Sequence, residues 1–501
     1  MHPPPAKPVA SYSLATWLFL RLLGLAYLAA FWSLAVQTRG LIGQDGILPA
    51  REYVAAFRAW AGAQGIGLDR FRLLPTLCWF GTSDGFLEGL SIGGGALAAL
   101  IVVGVAPVVL LPLLWVGYLS LMVVCGEFLS YQWDTLLLET GLLAIFVAPL
   151  TRWDHLRRAV DPPRVARWLL WWLLFRLMFG SGIVKLVSGD PTWRGLAALT
   201  YHYETQPLPT PLAWYAHHLP VWFQKASTAI VLGVELVVPW FVFAPRRLRC
   251  LAAALLVGLQ LLIWLTGNYA FFNLVTIALC VLLLDDAALE WIAPVRRLRA
   301  RLEPAQRYTQ WPVWVPAAVA IVIVPVSVVT LTGQLGLSPP GAVIVEPLAS
   351  VVEPLRAVNA YGLFAVMTTT RPEVVIEGSN DGVRWLEYEF KYQPGDLRQS
   401  PRWIAPFQPR LDWQMWFAAL GQYDREPWFQ SFCRRLLEGS PSVLRLLARD
   451  PFQGTPPRFV RGVLHQYHFA DLATGRAEGV WWTRERLGLY SPVLSLSQTT
   501  R

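Results

Sequence analysis

The sequence predicts a polytopic α-helical membrane protein with about nine spans, followed by a C-terminal soluble, β-rich α+β domain. Hydrophobic residues make up 55% of the 501 residues and charged residues only 15%, whereas soluble domains contain about 25% charged residues. Apolar runs near the length of about 20 residues that crosses a bilayer recur through the first two thirds of the chain. The alternation of apolar and polar residues that is typical of strands is found only after residue 341.

The predicted spans place residues 1–340 in one transmembrane domain. The first apolar run has no cleavage site after it, so we expect it to be a retained span. Only Pro107 and Pro112 divide the second run from the third, so a count of eight or ten spans remains an alternative to nine. The nine runs cover residues 14–36, 88–106, 107–126, 134–150, 166–187, 222–243, 250–267, 269–284 and 313–333.

The arrangement of basic residues predicts the orientation of the chain. Lys and Arg accumulate in short cytoplasmic loops, and with nine spans the basic clusters lie on the same side as the N-terminus. Residues 341–501 are then outside the cytoplasm. The net charge of +9 belongs mainly to this membrane part, which argues against a nucleic-acid partner. The clusters are Arg152, Arg157, Arg158 and Arg164, then Arg246, Arg247 and Arg249, then Arg296, Arg297, Arg299 and Arg301.

One predicted outer loop, between Arg39 and Asp84, contains five arginines against this rule. Its stretch "ILPAREYVAAFRAW" has helical spacing. Arginine is tolerated in amphipathic helices that lie at the membrane surface. We therefore expect an interfacial helix here.

Residues 341–501 are predicted to form an extracytoplasmic soluble domain. "PEVVIEGSNDGVRWLEYEFKY" alternates on either side of Ser379-Asn380-Asp381-Gly382, which indicates a β-hairpin that turns at Asp-Gly. "QSFCRRLLEGSPSVLRLLARDPF" carries two helical apolar stripes interrupted by Gly439 and Pro441. "RFVRGVLHQYHFADL" alternates again and predicts a later strand.

Ionisable side chains inside the predicted spans are functional candidates because their burial in lipid is costly. Arg176 and Glu235 lie near the middle of their spans, where they could pair. They are either a structural ion pair or polar contacts between helices, or they belong to a functional site. Arg21 and Glu139 lie nearer the edges, where long side chains can snorkel. Asp134 is expected to cap the helix that begins "TLLLETG", with a ligand role as the alternative.

The connection "KLVSGDPTWRGLAALTYHYETQPLP" is unusually rich in polar and aromatic residues for a loop between spans. Lys185 is either a snorkelling anchor or a base whose burial favours the neutral amine. His202 is either a proton shuttle or a polar loop residue. Together with Glu204 these residues are the catalytic candidates. No hydrolase, nucleotide-binding or metal motif is found, and we predict no metal and no cofactor, with a quinone or lipid left open.

Six stretches together resemble the lipase maturation factor family over residues 15 to 495. The resemblance implies a polytopic membrane protein that helps secreted lipases reach an active state. In animal members the membrane is that of the endoplasmic reticulum. The Arg-, Ala-, Leu- and Trp-rich composition favours a bacterial member, hence the bacterial inner membrane, or the endoplasmic reticulum membrane if the host is eukaryotic. The stretches are "YQWDTLLLETG", "GDPTWRGLAALTYHYETQPLPTPLAWYAHHLP", "NYAFFNLVTIALCVLLLDD", "VIEGSNDGVRWLEYEFKYQPGD", "APFQPRLDWQMWFAAL" and "WFQSFCRRLLEGSPSVLRLL".

A second resemblance is confined to the membrane domain. "FGSGIVKLVSGDPTWRG" is similar to the lysine-containing segment of the vitamin K-dependent carboxylases. In those enzymes a lysine before a leucine acts as the base, and Lys185-Leu186 falls at that position. This implies an alternative function, namely an enzyme that uses Lys185 as a base on a lipid or quinone-like substrate.

The sequence favours a non-enzymatic maturation factor and leaves the enzyme alternative open. The C-terminal domain and the outer loops would bind an exported client protein, such as a lipase, next to membrane lipids. Four tryptophans are client-binding candidates if they are exposed, and are otherwise part of the domain core. They are Trp403, Trp413, Trp416 and Trp428.

Overall fold

The structure, a computed structural model, describes residues 11–154, 161–290, 310–337, 339 and 341–496. Short 3-10 helices lie at Leu77–Trp79, Gly126–Leu129, Val238–Phe243 and Tyr423–Arg425. The strands are β1 (Pro372–Ser379), β2 (Leu386–Glu387), β3 (Phe459–Phe469) and β4 (Trp482–Leu489). The α-helices are α1 (Ser13–Ala35), α2 (Thr38–Ile42), α3 (Ala50–Ala63), α4 (Arg70–Leu73), α5 (Asp84–Val103), α6 (Pro107–Cys125), α7 (Gln132–Ala144), α8 (Arg164–Val187), α9 (Pro191–Arg194), α10 (Ala198–Thr205), α11 (Pro211–His217), α12 (Val221–Leu236), α13 (Arg246–Thr266), α14 (Phe272–Val281), α15 (Asp286–Leu289), α16 (Trp314–Gln334), α17 (Ala342–Val352), α18 (Arg410–Leu420), α19 (Pro427–Leu437), α20 (Pro441–Leu444) and α21 (Leu472–Glu478).

Within the described residues, seven helices are long and apolar enough to cross a membrane. They coincide with seven of the nine predicted spans, so the chain is an integral, polytopic membrane protein. The predictions at 134–150 and 269–284 correspond instead to the shorter helices α7, of 13 residues, and α14, of 10 residues. The seven are Ser13–Ala35, Asp84–Val103, Pro107–Leu129, Arg164–Val187, Val221–Phe243, Arg246–Thr266 and Trp314–Gln334.

Contacts between helix ends define two opposite faces of the bundle. At the N-terminal face, Val105 forms a β-bridge with Trp153, and the Ser11 hydroxyl donates to Asp286 at 2.7 Å. At the other end, which we call the docking face, the Asn268 amide donates to the carbonyl of Arg402 at 2.8 Å. Of the predicted basic residues, Arg157, Arg158, Arg296, Arg297, Arg299 and Arg301 lie outside the described residues.

The two short helices α7 and α14 also run between these faces. Tyr131, just before α7, donates to Gln414 at the docking face at 2.7 Å, and the chain after α7 reaches Trp153 at the N-terminal face. Helix α14 follows Asn268 and ends just before Asp285, which pairs with Arg246. At 1.5 Å per residue the helices are about 20 and 15 Å long, short of the hydrocarbon thickness of about 30 Å. Most of their side chains are buried, so other helices cover the non-helical ends.

The C-terminal region contains a four-stranded antiparallel sheet in the order β2-β1-β3-β4. The predicted hairpin is confirmed, since Glu377 pairs with Glu387 and Gly378 with Leu386. Gly382 has a φ of 76° in the turn, a conformation that glycine adopts at little cost. The second strand is shorter than its alternation predicts. Strand β3 and helices α19 and α20 confirm the remaining predictions for this region.

Helices α18 and α19 lie between the sheet and the membrane bundle. The Trp413 ring lies 4.6 Å from that of Trp133 in α7, and the Trp428 ring 5.9 Å from that of Phe128. On the other side, the Phe429 ring in α19 comes close to Gly462 of β3. The same hydrophobic core therefore continues from the bundle into the C-terminal region.

This packing decides between exposure and core burial for the four candidate tryptophans. Trp413, Trp416 and Trp428 are 3%, 5% and 1% exposed, and only Trp403 is exposed, at 53%. The first three fill the layer between sheet and bundle because their large apolar rings gain most from burial there. They belong to the core, and of the four only Trp403 keeps an exposed ring.

Candidate functional site

The connection after α8 lies at the docking face and is held by the C-terminal region. The Asp190 carboxylate accepts from the Met367 amide at 2.5 Å. The Trp193 indole donates to the Phe364 carbonyl at 2.9 Å, and the Trp416 indole donates to the Thr205 carbonyl at 3.0 Å. The polar and aromatic residues of this connection therefore build an interface with the C-terminal region.

Arg371, immediately before β1, binds the backbone of this connection between Glu204 and Pro207. Its guanidinium is fully buried and donates to the carbonyls of Glu204 at 2.6 Å, Pro207 at 2.8 Å, and Gln206. The Glu373 carboxylate lies 2.7 Å from the same guanidinium. Burial raises the pKa of Glu373, although Arg371 favours its charged form. An arginine suits this position because its planar guanidinium can donate hydrogen bonds to several acceptors at once.

Asp134 forms a second buried contact between the bundle and the C-terminal region. Its carboxylate accepts from the Arg410 guanidinium at 3.0 and 3.1 Å and from the Tyr118 hydroxyl. Asp134 and Arg410 are both fully buried. The predicted helix cap is wrong, because α7 begins at Gln132 and Asp134 lies within its first turn. The side chain points to Arg410 because a buried charge requires a countercharge.

Glu139 forms a third such contact. It pairs with Arg176 and also accepts from the Tyr361 hydroxyl at 2.7 Å and from the Asn359 amide at 3.0 Å. The predicted pairing of Arg176 with Glu235 is wrong, since Arg176 faces α7 instead of α12. Glu139 is fully buried in the bundle, so the prediction that it snorkels is wrong too.

Lys185 pairs with Glu235 inside the bundle and so joins α8 to α12. Its ammonium lies 2.7 Å from the Glu235 carboxylate and donates to the Ser181 carbonyl at 2.9 Å. It also lies 5.2 Å from the centre of the Trp193 ring. Lys185 is only 5% exposed, so it is not a snorkelling anchor. Arg21 likewise does not snorkel, since it is buried against Asp154 at 2.8 Å.

The catalytic candidates His202 and Glu204 each have separate partners. The His202 ring lies 3.1 Å from the Tyr269 hydroxyl, and burial, with a contribution from Lys185, lowers the pKa of His202 to about 4. The Glu204 carboxylate lies 3.1 Å from the His468 ring and accepts from the Phe469 amide at 2.8 Å. Glu204 thus ties α10 to β3. Within the described part of the chain, no cluster of His, Cys, Asp and Glu is arranged to hold a metal ion.

The arrangement can hold the C-terminal region in one position on the bundle. Sequence reasoning named all four members of the Arg176–Glu139 and Lys185–Glu235 pairs without pairing them correctly. It named Asp134 but not its partner Arg410, and it missed both Arg371 and Glu373. Arg410 stands in the unusual stretch "APFQPRLDWQMWFAAL", where a lone arginine among aromatic residues was the available signal. Nothing local in the sequence links it to Asp134, which lies 276 positions away.

We expect Asp412→Asn in α18 to stabilise the protein at neutral pH. Burial raises the pKa of Asp412 to about 6, although the amides of Tyr392 and Gln393 donate to its carboxylate at 2.7 and 3.0 Å. The folded state therefore holds a proton that the unfolded state releases near pH 4. The free energy of unfolding falls by about 3 kcal/mol as the pH rises through this window.

Thermal unfolding in detergent between pH 4 and 7 measures this effect. The difference between Asp412→Asn and wild type should be small near pH 4 and reach its maximum above pH 6, because asparagine keeps the acceptor oxygen without the charge. Asp424→Asn, at an exposed acid in the same region, is the control. A pH-independent difference would contradict the prediction.

Fold and site together define a polytopic membrane protein whose C-terminal sheet region is held on its helices by one buried ion pair, Asp134–Arg410, and by buried hydrogen bonds. The family model for the lipase maturation factor transmembrane domain matches residues 14–291, and the one for the lipase maturation factor C-terminal domain matches residues 357–492. The chain therefore belongs to the lipase maturation factor family. No solved structure matches it.

Curated relatives match along nearly the whole chain. Lipase maturation factor 2 of Gallus gallus is 38% identical over 100% of this chain and 83% of its own length. Lipase maturation factor 2 of Homo sapiens is 39% identical over 98% and 84%. Lipase maturation factor 1 of Bos taurus is 37% identical over 95% and 88%. These matches lend no support to the resemblance to vitamin K-dependent carboxylases.

Proposed function

We propose that this protein is a membrane-bound maturation factor that assists an exported client protein. The first client class to test is a secreted lipase. The observation that carries the proposal is the family match, which extends over both the membrane segment and the C-terminal region. The geometry agrees with a binding and positioning role, because the buried charges hold one part of the chain against another. A fixed sheet region gives a client a surface of constant position next to the membrane.

The client surface is proposed on the part of the sheet region that faces solvent. A groove of about 480 Å³ opens there between β1, β2, the segment after Gln393 and the start of β4. Arg398 is exposed at its rim, and Trp403 lies exposed just beyond the same segment. Aromatic and arginine side chains contribute much of the energy in protein interfaces.

The test is secretion of an active lipase from cells that express the client with this protein or its variants at matched abundance. We expect wild type to raise the activity per mass of secreted client several-fold over an empty vector. Trp403→Ala and Arg398→Glu should reduce this gain, and Val383→Ser, at an exposed hairpin position outside the groove, should not. A client that matures equally well without the protein would overturn the proposal.

A deletion of residues 341–501 is a poorer test than these substitutions. It removes Arg410 and Tyr361 and so leaves the carboxylates of Asp134 and Glu139 without those partners inside the bundle. Loss of activity would then be accompanied by loss of stability. The surface substitutions avoid this because the side chains of Arg398, Trp403 and Val383 are exposed.

We infer nine crossings, with the N-terminus in the cytoplasm and the C-terminal region outside it. The positive-inside rule and the course of α7 and α14 between the two faces support this inference. We expect the bacterial inner membrane, or the endoplasmic reticulum membrane in a eukaryotic host. Reporter fusions after Leu337 and between residues 296 and 301 should report opposite sides. Two reporters on the same side would refute the inferred topology.

A further inference from the structure

Two segments outside the long helices expose large apolar side chains at the docking face. One runs from α3 to residue 80, and the other is α17. Leu68 and Phe80 in the first are 82% and 83% exposed, and Val343 and Ile344 in the second are 78% and 80% exposed. Side chains of this size gain free energy when an apolar environment covers them, so the question is what covers these.

Helix α17 packs one face against protein and exposes the other. Leu348 packs against the hydrophobic core, and Val352 is buried. The exposed side carries Val343 and Ile344 together with the charged Glu346. Large apolar side chains beside a charged one are typical of a helix that lies between lipid headgroups and acyl chains, and within the described residues no protein element covers them.

Both segments are attached to spanning helices where these reach the docking face. Helix α17 follows α16, which ends at Gln334, and packs against it. Phe80 lies four positions before Asp84, where α5 begins. The Arg72 guanidinium donates to the Ser350 carbonyl at 3.1 Å and so joins the two segments. Their exposed side chains thus continue the lipid-facing surfaces of α5 and α16, on which Ile92 and Ile321 are 61% and 71% exposed.

The charged residues of the first segment suit the level of the lipid headgroups. Arg58 and Arg70 lie 5.5 and 5.7 Å from the centre of the Trp79 ring. Arg51 and Arg72 are exposed in the same segment. Arginine beside tryptophan is typical of the membrane–water boundary, where the side-chain stem contacts apolar groups and the guanidinium reaches phosphates.

We propose that residues 50–80 and α17 form a collar that lies in the headgroup region of the bilayer leaflet at the docking face. The partner is the lipid surface. Val343, Ile344 and Phe80 enter the boundary between headgroups and acyl chains, and the arginines contact phosphates. The collar adds a lateral support for the C-terminal region beyond its buried polar contacts with the bundle. The proposal does not depend on the client or on the orientation of the chain.

Spin-label accessibility in the full-length protein tests the collar. A nitroxide at Ile344→Cys, in phosphatidylcholine–phosphatidylglycerol nanodiscs, is compared with labels at Val383→Cys and Ile92→Cys. Val383, 84% exposed in the hairpin, is the water control, and Ile92 is the lipid control. Cys250→Ser removes the native thiol that is not buried. The quantity measured is the ratio of accessibility to oxygen and to a water-soluble nickel chelate.

We expect the ratio at Ile344 to be several-fold above that at Val383 and below that at Ile92. A ratio equal to that at Val383 would place the helix in water and overturn the proposal. Low accessibility to both reagents would also overturn it, because protein would then cover the face. The spectra at Val383 and Ile92 report whether the variants fold, and an Ile344→Leu variant with wild-type thermal stability confirms that the position tolerates change.

Discussion

Arg410→Met is expected to lower the free energy of unfolding by about 3–5 kcal/mol, because it leaves a buried carboxylate without its countercharge. Asp134 is fully buried and would keep only the Tyr118 hydroxyl as a side-chain partner. Methionine roughly preserves the length and the apolar volume of the arginine stem, so the lost charge dominates the effect. Thermal unfolding in detergent, followed by tryptophan fluorescence, measures it.

The double variant Asp134→Leu/Arg410→Met separates the charge from the packing. It should be much closer to wild type than Arg410→Met, because a buried ion pair can often be replaced by apolar residues at little cost. Arg434→Met is the matched control at an exposed pair with Glu438, where we expect a loss of less than about 1 kcal/mol. If Arg410→Met and Arg434→Met lost the same amount, the docking role of Arg410 would be refuted.

Lys185→Met should have the second large effect, a loss of about 3–5 kcal/mol, because Glu235 is left charged and buried without its partner. Lys185→Arg keeps the charge and should retain most of the stability and of the client activity. Arginine cannot act as a base in proteins. An active Lys185→Arg variant would therefore exclude a catalytic lysine.

The double variant Lys185→Met/Glu235→Leu distinguishes a structural lysine from a catalytic one even if arginine does not fit beside Trp193. Removing both charges should restore abundance and thermal stability. If Lys185 is structural, client activity returns with the fold. Restored folding without activity would contradict the structural role and favour the enzyme alternative. Abundance and activity are measured in the same cells to keep the two effects apart.

The number and positions of most spans in the membrane part were predictable, because a helix that crosses the bilayer needs an apolar run of about 20 residues. Seven predicted spans are long helices, and the hairpin at Asp381-Gly382 follows from local turn chemistry. The shortness of α7 and α14 was not predictable, since it depends on other helices that cover their ends. A buried helix and a lipid-facing helix of equal hydropathy look alike in a sequence.

Which buried charges pair with each other could not be predicted from a single sequence either. Arg176 and Glu235 were sensible partners by depth alone, but helix packing turns Arg176 to Glu139 and Glu235 to Lys185. Arg371 and Arg410 lie in a region whose sequence predicts a soluble domain, and no local pattern there identifies Glu204, Pro207 or Asp134 as their partners. Spans follow from composition, whereas ion pairs follow from three-dimensional packing.

The distance along the chain between Asp134 and Arg410 has a consequence for biosynthesis. The two residues are 276 positions apart, and at about 5–20 residues per second the ribosome needs roughly 15–55 s to make the second after the first. During this interval α7 carries a carboxylate whose countercharge does not yet exist. Until Arg410 is made, the newly synthesised helices therefore stay associated with the insertion machinery, or the Asp134 carboxylate stays partly hydrated. Any chain that stops before residue 410 keeps this unpaired acid and becomes a natural target for quality-control proteolysis.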